Sequence, residues 1–135
     1  MEKSMANLFI SHSWSYDNQY QRLTELLANR GYVYRDYSVP KSNPIIGADS
    51  DRELEQAIEQ KMKYSSIVLI MAGVYSTYSK WINKEIKIAQ KLGKPIIAIE
   101  PYASERTSTV VKNAADIVCG WNTLSIVNAI DKLTK

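Results

Sequence analysis

Glu85 stands in SKWINKEI, residues 79–86, four positions after Trp81 and flanked by lysines rather than by other acids. On a helical wheel of about 100° per residue with Ile82 at zero, Ile86 falls at about +40°, Ala89 at about −20°, Leu92 at about −80° and Trp81 at about −100°. Glu85 falls at about −60°, inside this apolar arc, whereas Lys80, Asn83, Lys84, Lys87, Gln90 and Lys91 share the opposite one. With Ser79 as N-cap, Glu85 is the sixth helical position, beyond the amides that a capping side chain satisfies. Lys84 and Lys91 point away from it. A carboxylate buried without a partner takes up a proton or costs several kcal/mol. Two readings stay open: a structural one, pairing with Arg35, Arg52 or Arg106 or reaching water at a rim, and a functional one, facing a ligand. The functional reading is preferred, because the first two turns of this helix lie at the end of the fold where ligands bind.

The elements that would position this group follow from hydrophobic periodicity. NLFIS reads as a first strand, Asp17 to Arg30 as a helix with Tyr20, Leu23, Leu26 and Leu27 on one side, and Gly31 as its stop. YVYRDYSV, ended by Pro40, reads as a second strand, and KSNPIIGAD as a long loop. Ser50 and Glu53 have capping-box spacing ahead of a helix with Leu54, Ala57, Ile58 and Met62 on its apolar stripe. SIVLIMAG is apolar without alternation, as a strand covered on both faces should be. A third helix from Lys80 to Leu92, closed by Gly93, leads to the strand KPIIAIEP. A helix around Ser108 to Ala115, the strand DIVCG and a last helix from Ser125 to Leu133 complete the chain. Five strands alternating with five helices predict an α/β domain: a flavodoxin-like, doubly wound parallel sheet in the order 2-1-3-4-5 with helices on both faces.

In such a sheet, ligands lie beyond the carboxyl ends of the strands, near the switch between strands 1 and 3. The segments there are SHSW, DYSVPKSNP, AGVYSTYSKW, EPYASE and GWNT, rich in hydroxyls and aromatics. They suit a polar ligand carrying flat rings.

Several tenants of this fold are excluded. Neither GxGxxG nor GxxxxGK[ST] occurs, so the dinucleotide fingerprint and the Walker loop are absent. SHSW and AGVYS lack the aspartates of a phosphoacceptor site. His12 is the single histidine and Cys119 the single cysteine, which leaves no cluster for metal catalysis, and Cys119 reads as a small core residue. At 135 residues the chain is read as one domain, residues 1–135. Its net charge of +3 comes from dispersed lysines, so nucleic acid is not expected as a partner. The longest apolar run, Ile67 to Val74, is too short to cross a bilayer, and MEKSMA is unlike a secretory leader. A cytoplasmic location without membrane attachment is expected.

With these segments in place, the chain resembles bacterial TIR-like domains (Toll/interleukin receptor-like), in particular the stand-alone ThsB type of the Thoeris anti-phage defence system. The resemblance covers nearly the whole chain. NLFISHSW is similar to the family's first-strand box, DYSVPKSNP to its second strand and variable loop, and SKWINKEI to its Trp-x-x-x-Glu helix start. The resemblance implies cleavage of NAD at the nicotinamide N-glycosidic bond, with the ADP-ribosyl group passing to water, to itself as a cyclic product, or to another acceptor. It implies Glu85 as the catalytic carboxylate and Trp81 as its aromatic partner. Ser11, His12, Ser13, Trp14 and Ser38 then fall at the substrate-binding rim. NAD is a substrate in this scheme and no cofactor is required. The resemblance also implies self-association through TIR-like packing and a separate effector protein that responds to the nucleotide product.

Two other functions remain open on the sequence. One is a nucleoside deoxyribosyltransferase-like N-glycosidase, which also needs a glutamate near an anomeric carbon. The other is a non-enzymatic module that self-associates through the loop from Lys41 to Asp49.

Overall fold

Strand and helix alternate along the chain: β1 (Ala6–Ile10), α1 (Asn18–Asn29), β2 (Tyr34–Asp36), α2 (Asp51–Met62), β3 (Ile67–Met71), α3 (Lys80–Leu92), β4 (Ile96–Ile99), α4 (Thr109–Ala114), β5 (Ile117–Cys119) and α5 (Thr123–Thr134). The computed structural model describes residues 6–11, 18–37, 51–72, 80–100 and 109–134. The sheet is parallel throughout, in the order β2-β1-β3-β4-β5. This is the flavodoxin-like order, with the switch between β1 and β3.

Alternation along the strands divides the core in two. Phe9, Val68, Ile70, Ile96 and Ala98 meet α2, α3 and α4 through Ile58, Met62, Ile82, Ile86, Ala89 and Val111. Leu8, Ile10, Leu69, Met71, Ile97 and Ile99 meet α1 and α5 through Leu23, Leu27, Ile126 and Ile130. All five residues of β3 are buried, the reason its sequence shows no polar alternation. Cys119 packs in the second core as a free, buried thiol, and burial beside Glu100 pushes it up to about 11.

Both glycine stops form Schellman caps. Gly31 (φ 72°) donates to Ala28 O, while Tyr32 N–H reaches Leu27 O at 3.1 Å. Gly93 (φ 71°) donates to Gln90 O, and Lys94 N–H reaches Ala89 O at 2.9 Å. The left-handed conformation is what calls for glycine here. The second cap ends α3, the helix that carries Glu85.

Most element ends shift from the sequence reading by one or a few residues, and two of these shifts have a physical reason. β2 is only three residues long, because it is an edge strand paired with β1 alone, and Val33 before it is 64% exposed. α5 starts at Thr123 rather than Ser125, because Asn122 caps it: its Oδ1 accepts the Ser125 N–H at 2.8 Å and its carbonyl accepts the Ile126 N–H at 3.1 Å. Leu124, 62% exposed, lies off the apolar stripe and so gave no periodic signal. The proposed capping residue Ser50 lies outside the described residues.

Candidate functional site

The position of Ser11 is set by strand alternation. Phe9 faces the core shared with α3 and Ile10 the opposite core. Ser11 N–H continues the ladder beyond β1 by donating to Leu69 O at 2.8 Å, so its side chain returns to the Phe9 side. The position of Glu85 is set by helical period. It is the sixth residue of α3, between Ile82, Ile86 and Ala89 on the face that covers the sheet.

The two side chains meet at the carboxyl end of β1. Ser11 Oγ donates a hydrogen bond to Glu85 Oε1. Both residues are sealed from bulk water, Ser11 at 1% exposure and Glu85 at 2%. Among the described residues, the serine hydroxyl is the one side-chain partner of this carboxylate, with no cation beside it. Burial pushes the Glu85 carboxyl up to about 8, while the Ser11 hydrogen bond favours the ionised form and pulls the other way. At neutral pH the resting group is therefore mostly protonated.

The structural alternatives narrow accordingly. Arg35 Nη1 donates to Asn7 Oδ1 at 3.1 Å, and neither the Arg52 side chain nor Arg106 is among the described parts. Lys84 pairs with Glu55 at 2.7 Å and Lys91 with Glu59 at 3.2 Å, which ties the outer face of α3 to α2. A rim position bathed in water is also corrected: Glu85 lies at the carboxyl end of β1, but beneath the surface.

Of the sequence-predicted site residues, the structure brings Ser11 and Glu85 together. Trp81 stands in the first turn of α3, and its side chain is outside the described parts. His12, Ser13, Trp14 and Ser38 lie outside the described residues. The sequence reading placed Ser11 on the ligand and missed its bond to Glu85. Counting alternate positions from Phe9 would have put the hydroxyl on α3's side of the sheet. Two surface clefts lie elsewhere, one lined by Glu55, Glu59, Lys63 and Lys91 along α2, the other by Lys94, Ile96 and Asp116 at the start of β4. Neither includes Ser11 or Glu85 in its lining. Among the described residues no group of His, Cys, Asp and Glu is arranged to hold a metal, and no helix is long and apolar enough to cross a membrane.

A doubly wound parallel sheet in this order defines a flavodoxin-like α/β domain, and among the described residues Glu85 is the carboxylate buried beside its switch point. Within that class the sequence match is specific. The family described as "Thoeris protein ThsB, TIR-like domain" matches residues 9–106, a span holding both Ser11 and Glu85, and the chain belongs to it.

Among solved structures, the CMP N-glycosidase BcmB of Clostridium botulinum is similar, with a TM-score of 0.54 at 15% identity over 93% of this chain and 98% of that one. A 3-dehydroquinate dehydratase-like protein from Bifidobacterium longum aligns at 11% identity over 97% and 95% of the two chains, with a TM-score of 0.47. The first likeness speaks to the fold alone. No curated protein matches the chain.

Proposed function

We propose that this domain cleaves NAD at the bond between nicotinamide and ribose, with Glu85 as the catalytic carboxylate, and that the product is a nucleotide signal in anti-phage defence. The observation that carries this reading is Glu85 itself, buried at the carboxyl end of the sheet in a ThsB-type TIR-like domain with no cation beside it among the described residues. A carboxylate so placed favours a ligand that brings its own positive charge. The pyridinium ring of NAD does so.

The chemistry asks little else of the protein. The C1′–N bond breaks with its electron pair moving to the pyridinium nitrogen, which leaves as neutral nicotinamide without an acid. Positive charge develops on the ribose as an oxocarbenium ion, and an ionised carboxylate beside the anomeric carbon stabilises it. Water or another acceptor then bonds to C1′ and gives up a proton. Trp81 is assigned to the aromatic wall, and His12, Ser13, Trp14 and Ser38 to the binding rim. Packing of one domain against another completes the site, and a separate effector protein reads the product.

A second reading has one observation in its favour. The resting Glu85 titrates near 8, so at neutral pH it holds a proton that a neutral leaving base needs. That suits an N-glycosidase acting on a nucleotide such as CMP, or a deoxyribosyltransferase-like enzyme. The fold likeness to BcmB is consistent with it, as fold-level analogy only.

Incubation of the assembled protein with NAD, CMP and deoxynucleosides, followed by mass spectrometry, separates the two. Nicotinamide release by the wild type and not by Glu85→Gln is expected. Equal release by both would remove Glu85 from the mechanism.

A further inference from the structure

The Ser11–Glu85 contact assigns the two carboxylate oxygens different tasks. We propose that Ser11 is a positioning residue: its hydroxyl fixes Oε1 of Glu85 and leaves Oε2 as the oxygen presented to the ligand. The inference rests on Glu85 being the reactive carboxylate and deepens that reading.

Three features support it. Ser11 is itself held, since its N–H donates to Leu69 O at 2.8 Å in the β1–β3 ladder, so the hydroxyl is presented from rigid backbone. Its side chain is 1% exposed, so the hydroxyl does not divide its time between Glu85 and solvent. The elements packed on this face offer Glu85 no competing charge among the described residues. β1 contributes Phe9, β3 contributes Val68 and Ile70 with Ala72 just after it, and β4 contributes Ile96 and Ala98. α2 contributes Ile58 and Met62, and α4 contributes Val111. Lys84, next to Glu85 in sequence, pairs with Glu55 of α2.

A glutamate carboxylate can still turn about its terminal Cγ–Cδ bond unless one oxygen is fixed, and fixing it orients the other. A hydrogen bond donated to the ionised form also stabilises that form, so the same contact that aims the group lowers its proton affinity. Ser11 acts through Glu85 and need not touch the substrate.

The test follows the carboxyl carbon of Glu85 by 13C NMR across pH in the intact chain, for wild type, Ser11→Ala and Ser11→Thr. Loss of the hydroxyl should raise the Glu85 midpoint by about one pH unit or more, and threonine, which keeps a hydroxyl, should restore it. In nicotinamide release, the acid limb of the Ser11→Ala pH profile should move upward by the same amount, with kcat lowered and KM little changed. In the wild type alone, the Ser11 Cβ shift should titrate with the Glu85 midpoint, a reading that survives if both variants fail to fold. An unmoved Glu85 midpoint in Ser11→Ala, or a raised KM with an unmoved acid limb, would overturn the proposal. The NMR result does not depend on any activity, so absence of NAD cleavage would remove the proposed function and leave this contact decided separately.

Discussion

The Ser11 hydroxyl donates to Glu85 Oε1 between residues 74 positions apart, joining the end of β1 to the second turn of α3 beneath the surface of the domain. The contact brings a strand-end hydroxyl and a helix-borne carboxylate into one buried pair. It is too small to offset the loss of water around a charge, as the raised midpoint of Glu85 shows. The domain thus keeps a group at this point that disfavours its own ionised state. Two consequences can be measured, one in stability and one in rate.

Stability should fall as pH rises through the window set by Glu85. Its carboxyl moves from the ordinary 4.5 up to about 8 on folding, so the unfolded chain releases the proton first. Below about pH 4 both states are neutral and the group is silent; between the two midpoints the folded state binds more protons, and stability declines until about pH 8. The full loss is on the order of several kcal/mol. Glu85→Gln carries no charge and should escape it. Urea unfolding should therefore find the variant more stable than wild type at pH 8 and close to it at pH 4. Parallel stability curves for the two would mean that Glu85 is not titrating in a buried setting.

Reaction rates should report the same group. If NAD is the substrate, the ionised form is required, and kcat/KM for nicotinamide release should rise with pH, reach half its limit near about 8, the midpoint in the free protein, and level off above it. If a neutral base such as cytosine leaves, the protonated form is required and the rate should fall through the same midpoint. The direction of the limb decides which leaving group Glu85 serves. A flat profile would separate the reaction from this carboxylate.

The fold was legible in the sequence because each element announces itself locally. β3 is apolar throughout, Gly31 and Gly93 stand where left-handed caps are needed, and strict alternation restricts the sheet to a parallel order. Glu85 was legible because one helical period suffices to place it between Ile82 and Ile86. The bond to Ser11 was not, since it depends on where α3 crosses the end of β1, which no local pattern records. The early start of α5 was missed because a cap is a single side chain, Asn122, followed by an exposed Leu124 that breaks the apolar stripe.

Gly93 offers a way to perturb α3 without touching the site. Its φ of 71° is one that alanine adopts reluctantly, and a Cβ built there meets nothing within 4 Å, so the cost is conformational and not steric. Gly93→Ala should destabilise the domain by about 1 kcal/mol, and Gly93→Asn by less, because asparagine tolerates the left-handed region. Denaturant midpoints of the three proteins give the comparison. A loss well above this range for alanine would point to contacts made by residues beyond the cap.

The cap at Asn122 tests whether the two faces of the sheet are energetically separable. Its Oδ1 accepts the Ser125 N–H at 2.8 Å, satisfying an amide at the start of α5 that has no partner within the helix. Asn122→Ala should cost about 1 kcal/mol, and Asn122→Asp or Asn122→Ser should recover most of it. α5 packs through Ile126 and Ile130 on the core opposite to the one that contains Ile82 and Ile86 around Glu85. Destabilisation there should lower the thermal midpoint yet leave the 13C midpoint of Glu85 unchanged in the folded fraction. A shift in that midpoint would show that α5 and the carboxylate are coupled through β1, β3 and β4, the strands whose side chains enter both cores.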